Sequence, residues 1–288
     1  MRKALYVLGF ALLILGLTYH FALLKAFNLF VPKDAGSEFV AGEIPYGTDE
    51  RQRLDVYRPV QAAPHLPVLI FVHGGSWKDG DGRDYGFVGR AFAARGYLTF
   101  VISYRLVPQH HYPAFVEDVA KAVAWSNLNA AEYGGDGKHI YLVGHSAGGY
   151  NIALAVLDPH YLQDAGADAL SVKGVATLAA PLDFLPLDTD VTKEVFSKAA
   201  DLAATQPVNF ARTDAPPILL LQGLDDTTVF PRNSRAMKQR LEAAGAKVKL
   251  IEYPGVSHVR IVGAISRLFR SSAPVVEDVV KFFDENRN

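Results

Sequence analysis

Six apolar runs, each rich in residues that favour a pleated strand, constrain this chain more than any other feature. They read "PVLIFVHGG" (67–75), "YLTFVISY" (97–104), "HIYLVG" (139–144), "VKGVATLAAP" (172–181), "PPILLLQG" (216–223) and "KVKLIEYPG" (247–255). A strand with one wet face alternates apolar and polar residues, whereas a continuous run is the pattern of a strand buried on both faces. Between the runs lie stretches of helical spacing. "YGFVGRAFAARG" (85–96) is closed by Gly96, and residues 115–135 carry Val116, Val119, Ala120 and Val123 on one face. "AGGYNIALAVL" (147–157), "SRAMKQRLEAAG" (234–245) and "APVVEDVVKFFDEN" (273–286) are three further helical stretches. With "RLDVYRP" (53–59) as an alternating strand ahead of them, the expected fold is α/β, with a mostly parallel sheet of about eight strands covered on both faces. The stretch 182–212 breaks the alternation with prolines and acids and reads as a short cap insertion.

The first residues obey a different rule. After Arg2 and Lys3 no charge occurs until Lys25. Residues Ala4 to Leu24, at ~1.5 Å per residue, would make a helix of roughly 30 Å, the thickness of a bilayer core. A signal peptide has a shorter apolar region of about 7–15 residues and a small-residue cleavage site. The expectation is an uncleaved anchor at 1–30, with Tyr19, His20, Phe27 and Phe30 as interfacial residues, and a domain at 31–288 beginning with the linker "VPKDAGSEF" (31–39). The basic N-terminus places the domain outside the cytoplasm, in the periplasm if the source is bacterial. Secretion after cleavage and a soluble domain carrying an apolar arm are the alternatives.

The formal net charge of −1 gives no footprint for nucleic acid, and the absence of cysteine removes thiol chemistry and Cys-ligated zinc. No set of histidines and acids has metal-ligand spacing, so neither metal nor cofactor is expected.

Ligands of parallel sheets sit beyond the carboxyl ends of the strands. Just past the strand ends here stand "HGGSW" (73–77), "GHSAG" (144–148), Asp225 with Asp226, and His258. Gly144-His145-Ser146-Ala147-Gly148 fits G-x-S-x-G, a strained strand-to-helix turn that exposes the serine oxygen. An alcohol needs a base within reach and an acid to orient that base. Ser146, an aspartate and His258 occur in the chain order this architecture uses. Gly74, Gly75, Ser76 and Ala147 are the expected backbone donors for an oxyanion. His73 would shape that loop, His145 would point away from the base, and His110 and His111 would be loop residues. His65, His139 and His160 read as turn or surface positions. Tyr85, Phe87, Tyr112, Phe184 and Phe196 line either a pocket or the core.

These motifs resemble the α/β-hydrolase superfamily, in particular its carboxylesterase branches related to hormone-sensitive lipase and kynurenine formamidase (BD-FAE-like). "HGGSW", "GHSAGG", "YRLVPQHHYPAFVEDVAKAVAW" (104–125) and "GLDDTTVFP" (223–231) carry the resemblance, which spans about 43–283. It implies an α/β-hydrolase fold and a Ser146–Asp226–His258 triad, with Asp226 preferred to Asp225. The implied activity is cleavage of short acyl or aryl esters through an acyl-enzyme. Ser76 stands where lipases carry a third glycine, which leaves aryl-formamide, amide or peptide cleavage as an alternative. A membrane-tethered binding protein that keeps the fold without the chemistry is the alternative of another class.

Overall fold

The computed structural model describes residues 24–287. Eight strands form one sheet: β1 (Ser37–Pro45), β2 (Arg53–Pro59), β3 (Leu66–Val72), β4 (Leu98–Ile102), β5 (Gly135–His145), β6 (Val172–Leu178), β7 (Ile218–Gly223) and β8 (Val248–Tyr253). Their spatial order is β1-β2-β4-β3-β5-β6-β7-β8. The pairs β1–β2 and β2–β4 are antiparallel, and β3 to β8 run parallel. From β3 the chain goes to β4 on one side and then crosses to β5 on the other. That reversal opens a crevice beyond the carboxyl ends of β3 and β5.

The continuous apolar runs behave as read. In β3, Val68, Ile70 and Val72 enter one core while Leu69 and Phe71 enter the other. Full burial of such a side chain contributes about 1.5–3 kcal/mol. One face of the sheet carries α2 (Gly86–Ala93), α8 (His258–Gly263) and α9 (Val275–Asp284). The other carries α3 (Ala114–Asn129), α4 (Ala147–Leu157), α5 (Pro159–Asp164) and α7 (Arg232–Ala243). All eleven residues of α4 are buried. By contrast, α7 buries only Asn233, Ser234, Met237 and Leu241, as a one-sided helix should.

Three expectations need correction. "VPKDAGSEF" is not a linker, because β1 starts within it at Ser37. Ahead of that strand the buried Asp34 accepts two bonds from Arg270, at 2.6 and 3.0 Å, and one from Arg95 at 3.1 Å. The sequence hides β1 because it is an irregular, half-buried edge strand with two breaks in register. His258 does not lie in a loop but opens α8. His139 sits inside β5, which begins at Gly135, earlier than its apolar run.

The apolar stretch expected to anchor the chain lies, apart from Leu24, outside the described residues. Among the described residues no helix is long and apolar enough to cross a membrane. The described residues 24–30 are helical, and are labelled α1. Its Phe27 packs edge-on to Phe87, with ring centroids 5.4 Å apart, and stacks on Phe269 at 5.8 Å. Asn28 holds it to the start of α2 by accepting from the Phe87 N–H and donating to the Arg83 carbonyl.

The stretch 182–212 forms α6 (Asp190–Val195) and two short 3₁₀ turns at Ala203–Thr205 and Pro207–Phe210. It is folded back on the body: the Tyr112 N–H bonds the Val195 carbonyl and Lys78 pairs with Glu194 at 3.1 Å.

Candidate active site

The crowding around residues 144–148 explains their composition. A Cβ on Gly148 would lie 2.2 Å from the Val72 carbonyl oxygen, and one on Gly144 would lie 2.5 Å from that of Gly148. Glycine lets α4 begin against the ends of β3 and β5. Between them Ser146 takes φ 53° and ψ −122°. This conformation is rare for a residue with a side chain and costs on the order of 1–3 kcal/mol. Its N–H bonds the Leu178 carbonyl at 2.8 Å, and its carbonyl accepts from Tyr150 at 3.0 Å. The side chain is left free to point into the crevice.

There it meets His258. The Ser146 hydroxyl donates to His258 Nε2 at 2.9 Å. His258 Nδ1 donates to Asp226 Oδ2 at 2.8 Å. Asp226 Oδ1 also accepts from the N–H groups of Thr228 and Val229, at 2.9 and 2.8 Å. Burial alone would raise the Asp226 carboxyl. The bond and charge of His258 and those two N–H groups outweigh it and hold the group below its ordinary value. Asp225 is exposed, so the structure brings Asp226, not Asp225, to the imidazole. One fixed tautomer results: the proton stays on Nδ1 and the lone pair on Nε2 faces the alcohol. Activation of an alcohol by a base that an acid orients requires an arrangement of this kind.

Gly74 comes close to the serine. A Cβ built on it would be 3.0 Å from that of Ser146 and 2.9 Å from His145 Nδ1. The next residues turn sharply, with positive φ at Gly75, Ser76 and Trp77, and the Gly75 carbonyl accepts from both Lys78 and Asp79. Among the described residues, no protein acceptor is bonded by the N–H of Gly74, Gly75 or Ser76. Ala147 is the first residue of α4, where a helix leaves its N–H groups without internal partners. Gly74 and Ala147 border the serine, with the positive end of a fully buried helix behind it.

Several side chains that sequence reasoning does not single out hold this loop. Tyr104 donates to the His73 carbonyl at 3.0 Å and stacks on the His73 ring at 4.4 Å. Arg51 donates to the carbonyls of Tyr104 and Gly80, at 2.8 and 2.6 Å. Trp77 Nε1 donates to Asn151 Oδ1 on α4 at 2.8 Å. Gln222 bonds Asp226 Oδ2 at 3.3 Å and accepts from Ser234 at 3.0 Å. It is the one polar side chain in "ILLLQG", and that interruption is a readable signal.

The remaining histidines separate by burial. His73 Nδ1 donates to the Gly74 carbonyl at 2.6 Å, and burial lowers its pKa to about 4. His145 does turn away from the serine, with its Nε2 donating to the His258 carbonyl at 3.0 Å. Burial, with the His258 charge beside it, lowers the pKa of His145 to about 3. Both rings are neutral braces. His110 pairs with Asp49, His139 with Asp136 and His160 with Asp158, all in partly or fully exposed positions. Among the described residues no group of three or more His, Cys, Asp or Glu is placed to hold a metal ion.

The aromatics divide as well. Tyr85 and Phe87 are core residues on the α2 face. Phe196 is buried against Trp77, Phe115 and Tyr150 on the opposite face. Phe184 and Tyr112 are half-buried on that cluster, and the Tyr112 hydroxyl meets that of Tyr161 at 3.0 Å.

Known proteins share this architecture. A family model described as BD-FAE matches residues 54–241. Esterase LipC of Mycobacterium tuberculosis is 33% identical over 243 residues, covering 74% of this chain and 58% of its own length. A probable isoprenylcysteine alpha-carbonyl methylesterase of Oryza sativa subsp. japonica is 30% identical over 263 residues, covering 83% of this chain and 62% of its own. The chain thus spans about three fifths of these relatives. Among solved structures, esterase B from Lactobacillus rhamnosis superposes with a TM-score of 0.83 at 20% identity, over 100% of this chain and 97% of that one. Esterase 2 of Thermogutta terrifontis, with propionate bound, gives 0.69 at 22% identity, over 88% of this chain and 94% of that one.

Proposed function

We propose, from the premise that this chain belongs to the BD-FAE family and has the α/β-hydrolase fold, that it hydrolyses carboxylic esters at Ser146. The observation that carries this reading is one imidazole shared at hydrogen-bond distance: His258 accepts from Ser146 at 2.9 Å and donates to Asp226 at 2.8 Å.

In the proposed mechanism, Ser146 Oγ attacks the acyl carbonyl while His258 Nε2 takes its proton. Asp226 stabilises the resulting imidazolium without accepting the proton. The carbonyl oxygen becomes an oxyanion, held by N–H groups of Gly74, Gly75, Ser76 and Ala147. The tetrahedral species collapses, the bond to the alcohol oxygen breaks, and His258 returns the proton to the departing alcohol. Water then attacks the acyl-enzyme with His258 again as base. The carboxylic acid leaves and the Ser146 hydroxyl is restored. Each oxyanion donor is worth about 10²–10³ in rate.

A panel of aryl and alkyl esters of graded acyl length, with an aryl formamide beside them, tests the reading. Ser146→Ala should lower kcat by about 10⁶ and abolish labelling by a fluorophosphonate. Turnover near that of the unsubstituted protein would remove Ser146 from the mechanism, and faster formamide than ester turnover would reassign the bond cleaved.

We further infer that residues 1–30 tether the domain to a membrane. The support is the charge-free run from Ala4 to Leu24 after Arg2 and Lys3. Alkaline carbonate extraction of membranes from an expressing cell tests this: a tethered chain stays with the lipid, and a released one overturns the inference.

A further inference from the structure

Large apolar side chains are exposed unevenly over this molecule. At the far end of the sheet from the site they are isolated: Val60, Leu128 and Leu170. Beside α1 they are contiguous. Leu29 and Phe30 are 70% and 80% exposed, and Leu268 and Phe269 are 55% and 47% exposed. Phe27 stacks on Phe269, and Arg267 donates to the Lys33 carbonyl, so the segments 24–33 and 267–269 form one surface.

This surface adjoins the mouth of the site. Phe269 covers Gly263, the last residue of α8, at 3.9 Å from a Cβ built there. His258 is the first residue of that helix, about 7.5 Å away along its axis. Between them Val259 is 61% exposed. Scattered exposed apolar residues need no explanation, but a contiguous patch beside a catalytic mouth marks a surface that something apolar covers.

The sequence says what that is. The run without charge from Ala4 to Leu24 leads directly into the helical residues 24–30. Asn28 places α1 by the Arg83–Phe87 corner, at the carboxyl end of the sheet. A chain leaving a bilayer at this point brings the patch and the mouth to the lipid. Lys25, Arg260 and Arg267 are exposed among the apolar residues, as on surfaces that rest in a headgroup layer. A second copy of this chain would not account for an apolar segment entering at the same edge.

We propose that the flank formed by Leu29, Phe30, Leu268 and Phe269 rests on a lipid bilayer and holds the mouth of the Ser146 site against it. The ester attacked is then an acyl ester of a membrane amphiphile rather than a freely dissolved one. This substrate class rests on the ester-hydrolase reading; the contact with lipid does not.

The sequence contains no cysteine, so a single introduced one labels cleanly. The full chain carrying Leu268→Cys or Leu128→Cys, each with an environment-sensitive fluorophore, is reconstituted in phosphatidylcholine–phosphatidylglycerol vesicles containing nitroxide-labelled lipid. The label at 268 should shift to the blue and be quenched, and the label at 128 should do neither. Equal, unquenched emission from both, including through burial of 268 in a dimer, overturns the proposal. In the same vesicles, Leu268→Ser with Phe269→Ser should leave hydrolysis of a water-soluble aryl acetate unchanged. Hydrolysis of a long-chain acyl ester dissolved in the bilayer should fall about tenfold. Equal effects on the two substrates overturn the substrate class. Absence of any hydrolysis by the unsubstituted chain would instead sink the hydrolase reading and leave the quenching result to judge the surface.

Discussion

The two ends of the central sheet are made by the same strands and solve opposite problems. At the amino end most turns are relaxed, although His65 takes φ 60° and Gly135 and Gly137 sit close against their neighbours. Gly96 and Gly134 take positive φ with nothing within 4 Å of where a Cβ would sit, so they serve only as turn residues. At the carboxyl end, glycine serves close approach, and residues with side chains take the strained conformations. Ser76, Trp77, Ser146 and Ala179 all have positive φ there, after β3, β5 and β6. The same end buries His73, His145, Asn151 and Asp226, polar groups that each need a partner. Strain and buried polarity of this kind persist only where the surroundings over-determine them. The difference teaches where the molecule trades stability for geometry: at the end where the alcohol, imidazole and carboxylate meet.

Substitutions can break that contrast or sharpen it. The largest effect should come from Asp226→Asn. It keeps the shape but removes the acceptor that fixes the His258 tautomer. The expected loss in kcat is about 10⁴, in protein that remains folded at the assay temperature despite the lost contribution of the carboxylate. Initial rates on a soluble aryl ester beside a thermal melt check this, and a rate within about tenfold of the original would detach Asp226 from the site.

Next comes the matched glycine pair. Gly148→Ala drives a Cβ to 2.2 Å from the Val72 carbonyl and should cost about 3 kcal/mol or more. Gly134→Ala meets no neighbour and carries only the left-handed backbone penalty, about 1–2 kcal/mol. Urea midpoints of the two variants test the pair, and similar losses would erase the distinction between the two ends.

Acid should also weaken the carboxyl end. His73 and His145 are held neutral, with pKa values lowered to about 4 and about 3 by burial. Once unfolded, each takes a proton near its ordinary value of about 6.5. Their contribution is therefore complete above that pH and declines as pH falls toward the folded values. The loss should reach about 2 kcal/mol per histidine at pH 5. Asp226, held below its ordinary value, adds stability that disappears only in stronger acid, as pH falls through its folded pKa. Urea titrations at pH 7 and pH 5 read the first effect, and His145→Asn should make the difference between them smaller.

Legibility in the sequence divides along similar lines. Strands β3 to β7 announce themselves because burial on both faces leaves few polar positions in their central runs, and the rule that ligands sit beyond strand ends brings four separate stretches to one edge. Ser146, His258 and one of Asp225 and Asp226 can therefore be grouped from order, with Asp226 preferred from the family resemblance, while their distances cannot be read. β1 escapes because an edge strand with one half-wet face carries a weak apolar pattern. His258 reads as a loop residue because the six-residue α8 is too short to establish a periodicity. Arg51, Tyr104 and Asn151 are invisible as supports. Their partners are backbone carbonyls or residues 29 to 74 positions away, and a carbonyl leaves no mark in a sequence.

The separation between the serine and its base has a consequence during synthesis. Ser146 is translated 112 residues before His258. At about 5–20 residues per second, that is an interval of roughly 6 to 20 s. If Ser146 is the nucleophile, as proposed, the nascent polypeptide lacks the proton acceptor of that hydroxyl throughout the interval. On the proposed mechanism, reactivity switches on late, when α8 folds behind the final strand and brings the imidazole to the serine.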